Sequence, residues 1–407
     1  MREIWEIYNK SKPSQPLFSG LTRLEFGQYG HAQQCLEFFL ESRAISLSFF
    51  WAGPNPIIVE IFPIIQAHAL NMRELDLGTL RHCEERVDCP ALSKLVCQMA
   101  DLRSISCAER LLNSMAIQHL SSLPHLRSLV IPNTSKSLLE ALGETSNHFS
   151  ELQELTMYEN DVTELARLLG HLRPLHLRRI TLRFVERLVP PGSDLRAALT
   201  ALEQCSSAHA NVREIRFKHV EPRLPDYVHF NQNQVERKDS REIIPVIVNG
   251  STFEPALAFR MLTVFEVDIP FVFALSDGEL VAMADAWPHL RRLQLGSFSD
   301  HKAPSWITYE GLLQLLKRCP KLEFLVFSFD GTSNIPPADT IPMECINENI
   351  TYIEVGNSAA SGQQTHKVAR FFKYVFPKLC SIQGSQGNNL FWQEVVKTMN
   401  TISVSSP

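Results

Sequence analysis

Four basic residues are the most distinctive side chains for chemistry in this sequence, and they are Arg179, Arg183, Arg216 and Lys218. Residues two or four positions apart in an extended strand point to the same side, so each pair would present its cations on one face. Cations in this arrangement suit the binding of anionic groups. The chain as a whole has a formal net charge of −5, with 39 Lys+Arg against 44 Asp+Glu, so the cluster is local. No chain-wide basic field indicates a nucleic-acid partner.

The sequence lacks the motifs of the common enzyme classes. It has no Gly-x-Ser-x-Gly elbow, no Walker loop, no Gly-x-Gly-x-x-Gly and no His-Glu-x-x-His. His125 and His289 come just before the leucines of a repeat, where turn residues are the usual interpretation. We therefore expect no enzymatic activity and no catalytic residues.

The nine cysteines are scattered, with no Cys-x-x-Cys pair and no secretory signal before them. This pattern is typical of a reduced protein of the cytoplasm or nucleus. His82, Cys83 and Cys89 come nearest to a metal cluster, but a structural zinc site needs a second pair of ligands. We expect no metal and no cofactor, and no membrane association, since no apolar run reaches about 20 residues.

A six-residue pattern, apolar-x-x-apolar-x-apolar, recurs along the whole chain. Its copies begin at Leu21, Met72, Leu102, Leu126, Leu152, Leu177, Val212, Leu262, Leu290, Leu322 and Ile350, with a degenerate copy at Ser42 and a half-copy at Leu379. Most spacings lie at or just above those of leucine-rich repeats, and segments of helical periodicity separate the copies. The pattern predicts an α/β leucine-rich-repeat solenoid, a horseshoe of about 12–13 repeats, with parallel strands on the concave face and helices on the convex face.

The predicted domain organisation has three parts. Residues 1–20 form an N-terminal lead-in, 21–396 a single leucine-rich-repeat domain, and 397–407 a C-terminal tail. Residues 220–249 are polar and proline-containing and exceed one repeat. We interpret them as an insertion that loops over one edge, and a solvated linker is an equally good interpretation.

Strand alternation indicates which side chains line the concave face, namely the third and fifth positions of each hexad and the residue after it. The candidate partner-binding residues there are Arg179, Arg183, Glu214, Arg216, Lys218, Glu266, Asp268, Phe324 and Tyr352. For the basic residues, the alternative is a solvated face balanced by Glu154, Glu214 and Glu266. Phe324 and Tyr352 are of the aromatic type that is frequent in binding hot spots. Packing of these two rings under a C-terminal cap is the alternative, and it is favoured.

Four segments of the C-terminal half have a characteristic sequence pattern. They are 252–263, 280–295 with Ala-Trp-Pro-His-Leu-Arg-Arg-Leu, 306–330 with Cys-Pro-Lys-Leu-Glu-Phe-Leu, and 368–382. In these segments the chain resembles the leucine-rich-repeat F-box proteins of mushroom-forming (basidiomycete) fungi. The resemblance implies an N-terminal F-box that docks on a Skp-type adaptor of a cullin ubiquitin ligase. It also implies repeats that select the protein to be ubiquitinated.

The F-box itself is not visible before Leu21, and the similar run at 54–62 lies between two repeat strands, which favours a repeat helix. We expect a Skp-type adaptor as partner only if an F-box is encoded upstream of Met1. The predicted function is a protein-binding repeat domain, the substrate-recognition part of an F-box-type adaptor. The alternatives are a stand-alone scaffold or inhibitor without a ubiquitin role, and a sensor that holds an inositol phosphate in the basic cluster, as plant repeat F-box proteins do.

Overall fold

A computed structural model describes much of the chain. The described residues are 21–26, 40, 46–49, 57–67, 69–77, 87–88, 90–107, 110–131, 135–143, 148–158, 165, 167–169, 172, 176–184, 192–204, 209–219, 246–296, 305–358, 362–385 and 387–402. Packing divides the chain into two compact units, Met1–Leu177 with Glu221–Glu236, and Arg178–Val220 with Arg237–Pro407. The predicted lead-in and most of the predicted insertion lie outside the described residues, and the single domain over 21–396 stays a prediction.

The first unit alternates short strands with helices. Its strands are β1 (Arg23–Phe26), β2 (Ser46–Phe49), β3 (Glu74–Asp76), β4 (Val87–Asp88), β5 (Ser104–Ser106), β6 (Arg110–Leu111), β7 (Ser128–Ile131) and β8 (Glu154–Tyr158). Its helices are α1 (Ile57–Ala67), α2 (Pro90–Val96), α3 (Ser114–Ser122) and α4 (Ser135–Leu142), with a 3-10 turn at Ala69–Asn71. A parallel sheet runs in the order β1-β2-β3-β5-β7-β8, and β4 pairs with β6 in a small parallel ladder.

The hexads produce this sheet because equivalent positions pair with each other. Leu75 lies opposite Ile105, Ile105 opposite Leu129, and Leu129 opposite Leu155. All four side chains are at most 1% exposed. Each repeat therefore stacks its leucines on those of the next, which buries an apolar edge that one repeat could not bury alone. The region 54–62, predicted as repeat helix, contains the start of α1.

The second unit has the same construction. Its strands are β9 (Arg179–Phe184), β10 (Glu214–His219), β11 (Ile247–Val248), β12 (Val264–Asp268), β13 (Val272–Phe273), β14 (Arg292–Leu295), β15 (Phe324–Val326), β16 (Tyr352–Gly356) and β17 (Ser381–Gly384). Its helices are α5 (Gly192–Gln204), α6 (Gly250–Phe253), α7 (Asp277–Ala286), α8 (Tyr309–Arg318), α9 (Thr365–Val375) and α10 (Asn389–Thr401). Shorter 3-10 turns span Glu254–Ala258, Ala338–Thr340, Met343–Cys345 and Gly362–Gln364. The parallel sheet runs β9-β10-β12-β14-β15-β16-β17, and β11 pairs with β13.

Side-chain caps fix where helices α7 and α8 begin, and neighbouring carboxylates join these starts to other repeats. Ser276 and Glu279 form a capping box at α7, and the carboxylate of Glu279 also accepts a 2.9 Å hydrogen bond from the backbone N–H of Gly250. Asp277 accepts two hydrogen bonds of 2.7 Å, from the backbone N–H and the hydroxyl of Thr308 at the start of α8. Each capping carboxylate therefore connects one repeat to another.

Aromatic side chains close the core at the C-terminal end of the second unit. Trp392 on α10 is fully buried, with its ring centroid 5.9 Å from that of Phe329 and 5.8 Å from that of Phe372. Met399 further along α10 is 1% exposed. The packed helix therefore continues to Thr401, past the predicted boundary at 396, because its buried face extends that far.

Parallel strands with paired hexad positions, and the helices described between them, define the α/β leucine-rich-repeat solenoid that the hexads predict. In the described residues the larger parallel sheet of the first unit has six strands, and that of the second unit has seven. None of the described helices is long and apolar enough to cross a membrane.

Candidate functional site

The register of the second unit places the candidate residues in rows on one face of its sheet. The first row is Arg179, Glu214, Val264, Arg292, Phe324 and Tyr352. The second row is Thr181, Arg216, Glu266, Gln294, Val326, Glu354 and Gln383. The third row is Arg183, Lys218 and Asp268. We call these three rows the open face, and every candidate partner-binding residue predicted from the sequence belongs to it.

Ion pairs connect the cations of the open face to its carboxylates, beginning at Glu214. Arg179 donates two hydrogen bonds to Glu214, from Nε at 2.6 Å and from Nη2 at 2.9 Å, which is the bidentate geometry of a strong pair. Nη2 of Arg216 lies 3.0 Å from Oε2 of Glu214. Burial acts to raise the pKa of Glu214, but the hydrogen bond and charge of Arg179, with the charges of Arg216 and Arg292, hold that pKa below its ordinary value.

Glu266 is the centre of the second cluster of charges. Its carboxylate oxygens lie 3.1 Å from Nε of Arg292, 3.3 Å from Nε of Arg216 and 3.7 Å from Nζ of Lys218. Glu266 is only 3% exposed, and burial of a carboxylate is unfavourable unless cations surround it. Longer basic side chains converge on Glu266, so little of its carboxylate faces solvent, and its part in partner binding stays a prediction.

The charged network meets an aromatic pair at Arg292. The guanidinium carbon of Arg292 lies 4.0 Å from the centroid of the Phe324 ring, a cation–π contact. The rings of Phe324 and Tyr352 stack with centroids 6.4 Å apart, and the Tyr352 hydroxyl donates a 2.8 Å hydrogen bond to Gln383 on β17. Both rings remain half-buried, so part of each faces solvent.

Arg292 is the residue of this site that sequence reasoning missed. It holds the third position of the hexad that begins at Leu290, so the rule that selected the other face residues also selects it. Its importance is a matter of contacts, because it touches both Glu266 and Phe324. No sequence pattern states that one side chain spans these two residues.

Two further acids of the face, Asp268 and Glu354, have pKa values above their ordinary range. Burial raises the pKa of Asp268, the charge of Lys218 opposes that effect, and the charge of Glu266 adds to it. Burial and the charge of Asp268 raise the pKa of Glu354 to about 7, while the nearby Tyr352 side chain acts in the opposite direction. Near neutral pH Glu354 is therefore partly protonated.

Among these paired side chains, the basic ones are more exposed than the acidic ones. The side chains of Arg179, Lys218 and Arg292 are 38%, 37% and 40% exposed, whereas those of Glu214 and Glu266 are 19% and 4% exposed. The alternative interpretation of the basic cluster is a solvated face balanced by acids. The ion pairs agree with one part of it, because Glu214 and Glu266 pair with cations of the cluster. The groups nearest to solvent are nonetheless mainly the cations.

The described residues hold no group of three or more His, Cys, Asp or Glu side chains that could bind a metal ion. His82, Cys83 and Cys89, the nearest approach to a metal cluster in the sequence, lie outside the described residues.

The repeats and their register place both units in the class of leucine-rich-repeat solenoids. Among solved structures, the chain is similar to that of the Rad7 and Elc1 complex in yeast, with 13% identity, coverage of 88% of this chain and 84% of that chain, and a TM-score of 0.41. It is also similar to the leucine-rich repeat-containing protein LegL7 from Legionella pneumophila, with 12% identity, coverage of 95% and 100%, and a TM-score of 0.36. No family model and no curated protein matches the chain.

Proposed function

We propose that this chain is a protein-binding leucine-rich-repeat domain that acts by recognition and not by catalysis. The observation that supports this proposal is the open face, where partly exposed cations held by carboxylates adjoin the stacked rings of Phe324 and Tyr352. Arginine and aromatic side chains are the types that most often dominate binding energy in protein interfaces. Side chains that are already held in place lose less conformational entropy when a partner binds.

Within this class, the resemblance to fungal repeat F-box proteins favours the substrate-recognition part of a cullin ubiquitin ligase. In that role the open face holds the target protein in the cytoplasm or nucleus, and a Skp-type adaptor binds an F-box outside the repeats. A stand-alone scaffold or inhibitor without a ubiquitin role would use the same face in the same way.

The ion pairs argue against the inositol phosphate sensor. Arg179, Arg216 and Lys218 are already in contact with Glu214 or Glu266, so a compact polyanion, which needs several cations at once, would have to share each of them with a carboxylate. An unchanged thermal melt of the purified chain with inositol hexakisphosphate would agree with this argument, since a ligand of the folded state raises the melting temperature.

Photo-crosslinking from the open face tests the proposal in its general form. A benzoylphenylalanine replaces Phe324 in one variant and, as a matched control, the exposed His366 on α9 in another. In extracts of the source cells we expect discrete protein adducts from position 324 and none from position 366. Adducts from 366 alone, or equal adducts from both positions, would count against the open face as the binding surface.

The ligase role has a separate test. The transcript is mapped at its 5′ end and translated in frame upstream of Met1. An F-box there, followed by co-purification of the extended product with a Skp-type adaptor, would support the ligase role. A stop codon with no F-box would leave the scaffold or inhibitor as the better proposal.

A further inference from the structure

We propose that the open face binds an acidic segment of its partner, in which a carboxylate side chain stands next to an aromatic or large apolar side chain. This inference rests on the proposed function, because it names the chemistry of the partner at the same face. Three features of the face lead to it: the sign of its accessible charge, the way its cations are held, and the position of its aromatic pair.

The charges of the open face have a positive excess. Its rows contain five cations against four acids, namely Arg179, Arg183, Arg216, Lys218 and Arg292 against Glu214, Glu266, Asp268 and Glu354. Glu266 and Glu354 are 3% and 7% exposed, so a partner would meet little of their carboxylates. The chain as a whole is acidic, with a formal net charge of −5, so the sign of this face is opposite to that of the net charge. Complementary charge then favours an acidic partner and opposes a basic one.

The cations of the face are held in place before any partner arrives. The two oxygens of Glu266 divide among three cations, with Oε1 near Arg292 and Oε2 near Arg216 and Lys218. A guanidinium has five N–H donors, and the contact of Arg292 with Glu266 is made by Nε. The side chain of Arg292 is 40% exposed, so further donors of the same fixed group are accessible to an incoming carboxylate.

The aromatic pair determines what must accompany the acid. Arg292 and Phe324 lie opposite each other on β14 and β15, and neighbouring strands are about 4.8 Å apart. Side chains of a partner that touch both must therefore be close neighbours. A carboxylate at Arg292 places the adjoining partner side chain over the half-buried rings of Phe324 and Tyr352, where an apolar or aromatic group removes surface from water. A compact polyanion would not use these rings.

Peptide pools test this chemistry directly by fluorescence anisotropy with the purified full chain. The probes are fluorescein-labelled peptide pools, and the acidic Trp pool carries Asp or Glu around one Trp. In the amide pool Asn or Gln replaces the acids, and in the Lys pool Lys replaces them. In the acidic Ala pool the acids stay and Ala replaces the Trp. We expect the acidic Trp pool to bind about tenfold or more tighter than the amide pool, since hydrogen bonds between charged groups are the stronger kind. Added salt should weaken that binding.

Variants connect the binding to named residues. Arg292→Gln should weaken the acidic Trp pool about tenfold, the size expected for one charge-assisted hydrogen bond. Arg318→Gln is the matched control, because Arg318 also donates to a carboxylate, Asp285 at 2.6 Å, but lies on helix α8. Phe324→Ala should weaken the acidic Trp pool and leave the acidic Ala pool unchanged. It also serves as a second test if Arg292→Gln does not fold.

The outcomes separate this inference from the proposed function. Equal binding of the amide or Lys pools, or an effect of Arg292→Gln no larger than that of Arg318→Gln, would overturn the acidic partner. If no pool binds while crosslinks from position 324 persist, the partner class is wrong and the protein-binding role stands. If both fail, the open face is not a binding surface. A thermal shift with inositol hexakisphosphate that is lost in Arg292→Gln, without peptide binding, would overturn the inference in favour of a small anion.

Discussion

Glu266→Gln measures how much the buried carboxylate contributes to the second unit. The substitution keeps the shape of the side chain but removes its charge and turns one acceptor into an N–H₂ donor among three cations at 3.1, 3.3 and 3.7 Å. Hydrogen bonds to charged groups contribute about 1.5–3 kcal/mol each, and breaking a fully buried pair costs about 3–5 kcal/mol. The cations here are 27–40% exposed and can regain hydration, and Arg216 keeps its contact with Glu214. We therefore expect the free energy of unfolding to fall by about 2–3 kcal/mol.

Urea unfolding followed by tryptophan fluorescence reports this loss, because Trp287 and Trp392 are fully buried in the same unit. Glu323→Gln is the matched control, since Glu323 pairs with Arg291 between side chains that are 43% and 56% exposed. Exposed ion pairs contribute little to stability, so the control should leave the urea midpoint unchanged. Equal shifts of the midpoint in the two variants would refute the view that the cluster around Glu266 is a structural support of the open face.

Other substitutions test the pH dependence, the core and the helix caps of the second unit. Burial and Asp268 raise the pKa of Glu354 from 4.5 to about 7. Between these two pH values the unfolded chain has lost the proton and the folded chain keeps it. The free energy of unfolding therefore falls as pH rises from about 4.5 to about 7. Glu354→Gln should thus raise the urea midpoint at pH 8 and change it little at pH 4.5, and equal shifts at both pH values would contradict this. Leu293→Ala, at a site 1% exposed, should cost about 2–5 kcal/mol in urea unfolding, while Leu390→Ala, at a site 81% exposed, should cost nothing measurable. Thr308→Ala removes the side-chain cap of α8 and should lower the free energy of unfolding by about 1–2 kcal/mol, an effect that Thr308→Ser should largely restore.

The fold could be predicted from the sequence because its determinants are local and repeated. A hexad predicts which side chains of a strand point inward. Its recurrence at similar spacing predicts that the equivalent side chains of the next strand also point inward. Leu293 and Leu325 follow this rule and lie opposite each other in neighbouring strands, both at most 1% exposed. The capping box of Ser276 and Glu279 is equally local, because its two residues are three positions apart in the chain.

The membership of the open face could also be predicted, since alternation along a strand decides which residues share a side. Alternation does not determine how deeply each of these side chains is buried. Glu266 and Arg216 both point to that side, and one is buried while the other is half-exposed. The difference arises because a long basic side chain can reach over a neighbour and a shorter carboxylate cannot.

Only the tertiary structure decided which charges pair and which remain accessible. Arg179 is 35 residues from Glu214 in the chain, and Arg292 is 26 residues from Glu266. Both pairs depend on strand register across the sheet and on the rotamers of long side chains, which the hexads do not specify. The sequence by itself determined a repeat fold with a mixed-charge face, and the packing of that face determined that its carboxylates lie deep and its cations lie toward solvent.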